Sequence, residues 1–113
     1  MSTLPDDEYL LTDVQWRRQD QDEAFRPLHG FTTGHLVVSG GRAQADARFN
    51  DQFLSNRFSD LEEDGIPVVL LVEVLETEEA YTLACSAPTL IRAGASYRLK
   101  AEGKVSDVEQ AHA

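Results

Sequence analysis

A single cysteine, Cys85, excludes an intramolecular disulfide and any thiolate cluster for a metal. No base stands beside it in Thr82-Leu83-Ala84-Cys85-Ser86, so the thiol reads as a small buried hydrophobe. Basic residues are scarce. Ten Lys and Arg face twenty Asp and Glu, for a formal net charge of −10. That excess repels phosphate backbones and anionic lipid, which makes nucleic acid and membrane poor general partners. Long apolar runs are missing as well. Ile66 to Val72, with Pro67 inside it, falls far short of the roughly 20 residues of a spanning helix. Met1 to Glu8 is acidic and has neither a basic start nor an apolar stretch, unlike a signal peptide. Together with the unpaired cysteine, this gives the expectation of a cytoplasmic protein.

Catalytic patterns are equally thin. His29, His35 and His112 show no metal-ligand spacing, although His29 and His35 flank Gly30 and Gly34 and could approach each other. Ser39 and Ser86 do not sit on a strand-to-helix turn of the nucleophile-elbow kind. Gly40-Gly41 leads into a strand pattern, not into a helix that could hold a phosphate. Glu62-Glu63-Asp64 and Glu76, Glu78 and Glu79 lack the alternating spacing of a calcium loop. The expectation is a chain that is not an enzyme and that has no cofactor and no metal. An enzyme would need a pocket joining His29 or His35 to two or more carboxylates.

Period-two alternation is what the chain does have. With 113 residues there is room for one domain. Residues 1–7 read as a flexible lead, 8–108 as the domain and 109–113 as a flexible tail. Leu10, Thr12, Val14 and Trp16 alternate with Leu11, Asp13, Gln15 and Arg17, which predicts a strand anchored by Trp16. Ser39-Gly40-Gly41-Arg42 predicts a hairpin turn between a strand over 35–39 and a return strand over 43–49. On the latter, Ala43, Ala45, Ala47 and Phe49 face inward, and small inner residues suit a crowded barrel. Asn50 to Phe58 fits one irregular turn of helix capped by Asn50, with Phe49 and Leu54 as a staple. Asp60 to Gly65 reads as an acidic loop, Ile66 to Leu75 as a central strand, and Ala80 to Ala87 as another. Ser96 to Ala101 and Lys104 to Val108 read as two strands separated by a Glu102-Gly103 turn. The sum is an all-β antiparallel barrel of six or seven strands, with a β-sandwich as the alternative.

Two surfaces are candidates for function. Apolar side chains in the irregular segment either cap the barrel or dock a partner, which singles out Phe53, Arg57 and Phe58. Asp60, Glu62, Glu63 and Asp64 follow directly, and Asp60 to Glu79 contains no basic residue, so a basic protein partner fits there. The second surface is Arg92, Arg98, Lys100 and Lys104 beside Tyr97, the basic-aromatic interleaving of RNA-binding barrels.

Pro27-Leu28-His29-Gly30-Phe31 and the stretch from Ile91 to Val105 also resemble the third domain of elongation factor Tu. In the first, a proline, an apolar residue and a glycine-aromatic pair follow the opening strand. The second resembles that domain's closing hairpin, with Val68 to Leu75 as the strand before it. The resemblance implies a six-stranded barrel of the kind found in short stand-alone bacterial proteins. It also implies an RNA-contacting accessory role of the translation type as one alternative. The favoured expectation is a non-enzymatic binding or adaptor module acting through protein contacts. A small acidic immunity-type inhibitor of a basic partner is the other alternative.

Overall fold

The computed structural model describes residues 4–107, and side chains as far as 105. The expected tail, His112 and the first three residues lie outside the described part. Gly40 and Gly41 adopt φ of 61° and 78°, the paired positive values that let two strands reverse without splaying. This turn joins β3 (Phe31–Ser39) to β4 (Arg42–Phe49), in the predicted register of Ser39 opposite Arg42. Ala43, Ala45, Ala47 and Phe49 all face the interior, as their alternation predicts. The remaining elements are β1 (Asp7–Arg18), β2 (Arg26–Pro27), α1 (Gln52–Asp64), β5 (Val68–Val74), β6 (Glu79–Cys85), β7 (Thr89–Ala93) and β8 (Ser96–Asp107).

The strands pair antiparallel in the order β1-β3-β4-β8-β6-β5, and β5 returns to β1. The fold is therefore a closed six-stranded barrel, with β2 and β7 added outside the ring. Closure removes the free edges an open sheet would present. The edge of β7 is covered differently: the Glu62 carboxylate accepts a 3.0 Å hydrogen bond from the Leu90 N–H.

Two long strands carry the closure. Along one edge, β1 pairs first with β3 and then with β2, while its other edge holds β5. Its register slips between Leu11 and Asp13. This bulge corrects the alternation read from the sequence. Tyr9 and Leu11 point inward before it, Val14 and Trp16 after it, and Leu10 and Thr12 are exposed. Strand β8 runs unbroken through Glu102-Gly103, where a turn was expected. It pairs with β7 through Lys100 and with β6 from Gly103 onward. Gly103 is needed for that handover: a Cβ there would lie 2.0 Å from the Ala84 carbonyl oxygen.

The larger correction is α1. Its cap is Asp51, one residue later than expected, and the Asp51 carboxylate accepts from the Leu54 N–H at 3.0 Å. The helix then runs for 13 residues through the supposed acidic loop, to a left-handed Gly65 at φ 67°. Its last turn is acidic, against the helix dipole, at about 0.3–1 kcal/mol per charge near the terminus. Packing offsets that cost, because Ser55, Phe58 and Leu61 are buried against the barrel. At the other end, Leu4 is buried and the Tyr9 hydroxyl donates to the Pro5 carbonyl, so the lead is held in place from Leu4 onward.

Gly103→Ala is expected to cost about 3 kcal/mol or more through overpacking. Gly94→Ala, at φ 66° but with open space around it, is expected to cost roughly 1–2 kcal/mol. Urea unfolding midpoints of the two variants provide the measurement.

Candidate functional site

Phe58 determines how α1 sits. Its ring meets Trp16 edge-on at 4.9 Å and Phe49 at 5.8 Å, and Tyr97 lies tilted by 33° against Phe49 at 5.5 Å. The four rings fill the end of the barrel under the helix. Phe58 was a candidate for the partner surface, but it is fully buried and belongs to this plug. Rotating Phe58 inward turns Phe53, Arg57, Asp60 and Asp64 outward, since i, i+4, i+7 and i+11 share one helical face. Phe53 is 89% exposed, more than any other large apolar side chain described. The stripe is basic and aromatic at its start and acidic at its end. Glu62 is turned away from it, toward β7.

Beside Phe53 lies a cavity of about 250 Å³ lined by Trp16, Arg26, Pro27, His29, Phe53, Leu54 and Arg57. Strand β1 supplies Trp16, and β2 brings Arg26 directly opposite it in register. Gly30 lets the chain pass tightly under Asn50 and set His29 at the rim: φ is 79°, and a Cβ would lie 2.6 Å from the Asn50 carbonyl oxygen. The Arg26 and Arg57 guanidiniums both stand over the Trp16 ring, 5.7 Å and 5.6 Å from it. Arg26 also pairs with Glu23 at 3.2 Å, whereas Arg57 has no carboxylate partner among the described residues. The Trp16 indole N–H is buried without a hydrogen-bond acceptor, a cost of about 1–3 kcal/mol.

The second candidate surface divides. Arg98, Lys100 and Lys104 share the outer face of β8 and continue across β4 to Arg42 and Arg48. Arg92 does not join them. It pairs with Tyr97, on the opposite face, and its guanidinium covers that ring at 5.9 Å. Within the outer face Arg98 is neutralised by Asp46, to which it donates two hydrogen bonds. Arg42 approaches Glu102 at 3.6 Å. Burial pushes the Asp46 carboxyl up, but the Arg98 hydrogen bonds, with the charges of Arg98, Lys100 and His35, outweigh it and hold the group below the usual Asp value.

The acid-rich stretch divides too. Asp60 to Asp64 end α1, whereas Glu73 to Glu79 surround the β5–β6 turn, roughly 20 Å away along β5. Several of these carboxylates have structural work: Glu76 accepts from the Leu10 N–H and Glu79 from the Tyr81 hydroxyl. His29 lines the cavity while His35 stands on the outer face opposite Asp46. No group of three metal-ligating side chains occurs among the described residues. Cys85 is buried, and burial pushes its thiol up to about 12.

Phe58→Ala is expected to cost about 3–5 kcal/mol of stability, and Phe53→Ala less than about 0.5 kcal/mol, in chemical denaturation. Asp46 favours its ionised form in the folded state. Its contribution is therefore complete above the unfolded-chain value of about 3.9 and is lost as pH falls through the lower folded value. An NMR carboxyl titration should place the Asp46 midpoint below about 3.9, and Arg98→Met should raise it. No protein-family model matches this chain, and no curated protein or solved structure matches it either.

Proposed function

We propose that this chain is a non-enzymatic binding module that docks another protein on the barrel end covered by α1. The observation that carries the reading is Phe53: a phenylalanine 89% exposed at the mouth of a cavity floored by tryptophan. Aromatic side chains, Phe included, and arginine are enriched at protein interfaces. The charges of α1 support the same face. They run against the helix dipole, and breaches of local stability rules concentrate at functional surfaces. The resemblance of Pro27 to Phe31 and of Ile91 to Val105 to the third domain of elongation factor Tu fits a barrel that works by contact.

RNA binding along β4 and β8 is the second reading, favoured by Arg42, Arg48, Arg98, Lys100 and Lys104 on one outer face. It carries less weight because Asp46 and Glu102 interrupt the face and Tyr97 lies on its far side. An acidic inhibitor of a basic partner would draw on the acid-rich stretch, which is split between two ends of the barrel.

The test is affinity capture from an extract of the source cells with three baits. These are the unaltered protein, Phe53→Asp with Arg57→Glu, and Lys100→Glu with Lys104→Glu. The expected result is a protein retained by the first and third baits and lost about tenfold or more by the second, the scale of a hot-spot anchor. Recovery of RNA and no protein, abolished by the lysine pair, would replace this reading with the second.

A further inference from the structure

We infer that the cavity between β2 and α1 receives an acidic segment of a partner protein, with a carboxylate held by Arg57 and Arg26 and an adjoining apolar side chain packed on Phe53. This deepens the docking reading above and rests on it.

Charge comes first. The chain carries a net charge of −10, so an acidic partner is repelled by most of its surface. The cavity is the exception: Arg26, Arg57 and His29 line it and no carboxylate does. The surroundings therefore steer an acidic segment to this site and away from others.

Arginine geometry comes next. Both guanidiniums lie within 6 Å of the Trp16 ring centre, and Arg57 forms no ion pair among the described residues, so its N–H groups are open to an incoming acceptor. The N–H edge is the part that grips a carboxylate with two hydrogen bonds. Arg57 is the stronger candidate, because Arg26 already shares its edge with Glu23. An incoming carboxylate competes with Glu23 for Arg26 but finds Arg57 without an ion-pair partner among the described residues.

Size and lining decide the rest. A cavity of about 250 Å³ is below the usual range of about 300–1,000 Å³ for enclosed small molecules. One anchoring side chain of a larger partner suits it better. Pro27, Leu54 and Phe53 supply the apolar walls for that anchor. Trp16 is the sole tryptophan of the chain, so its emission reports on this cavity directly.

The test is a titration of the full-length protein with three blocked pentapeptides: acetyl-Glu-Asp-Phe-Asp-Glu-amide, its Gln/Asn counterpart and its Lys counterpart. Trp16 emission and the indole N–H resonance are followed to about 2 mM peptide, where even millimolar binding is visible. The expected result is saturable binding of the acidic peptide, at least tenfold weaker for the neutral one, undetectable for the basic one and weaker at high salt. Arg57→Glu should reduce it tenfold or more, and Phe53→Ala should weaken it too. Equal binding of acidic and neutral peptides, or none by either, would overturn the inference. So would a concentration-dependent dimer abolished by Arg57→Glu in sedimentation, which would assign the cavity to a second copy. If extract capture depends on Phe53 and Arg57 while the acidic peptide fails to bind, the docking reading stands and only the acidic chemistry falls. Failure of both removes both.

Discussion

A closed barrel leaves two open ends, and the end lined by Trp16 and Phe49 would expose both rings to water if nothing filled it. Phe58 fills it, meeting both rings edge-on from α1. Burying one aromatic side chain is worth roughly 1.5–3 kcal/mol, comparable to the cost of about 1–3 kcal/mol for the three acidic charges in the last turn of this helix. The same contact sets the rotation of α1 and therefore determines what the helix presents to solvent. Phe53 and Arg57 are outward because Phe58 and Leu61 are inward. The rim of the cavity is thus a by-product of core packing, since rotating α1 to turn Phe53 inward would withdraw the plug.

Charge is unevenly distributed around this frame. Most of the acid lies at the end of α1, at the β5–β6 turn and in the segments before β1 and β2. Six of the ten basic residues, Arg42, Arg48, Arg92, Arg98, Lys100 and Lys104, belong to β4, β7 and β8. There Arg98 pairs with Asp46, Arg42 approaches Glu102, Lys100 stands opposite Asp46 and Arg92 covers Tyr97. Arg57 stands over the indole with no ion-pair partner among the described residues, which leaves a small basic-aromatic site in an acidic protein.

Much of the candidate site was legible in the chain, but only its exposed half. Phe53 and Arg57 stand out as an apolar-basic pair in a segment without strand pattern. Arg26, Pro27, His29 and Trp16 carry no signal that they would meet α1. They do so because β2 pairs across Trp16 and because Gly30 lets the chain turn under Asn50. Phe58 was legible as a functional apolar residue or a cap. The sequence could not tell the two apart, since both need an aromatic next to polar neighbours. The expected basic patch failed at Arg92 for a related reason. Nearness in sequence to Arg98 says nothing about face when a turn and a register stand between them.

Local chemistry determined the strands, the Gly40-Gly41 hairpin and the inward alanines of β4. Alternation and positive φ are properties of a few neighbouring residues, and they can be read without knowing the partner strand. The single cysteine likewise excluded a disulfide within the chain. Tertiary structure alone decided the bulge at Thr12, the unbroken course of β8 through Gly103 and the full length of α1. Each depends on a strand or core that arrives from far along the chain: β5 against β1, β6 against β8, and the open barrel end against Phe58. Helix propensity across Gln52 to Asp64 was too weak and too acidic at its end to announce itself. Asp51 and Gly65 cap that segment locally, burial of Phe58 in the ring-lined opening holds it in place, and the cavity beside Phe53 follows from that.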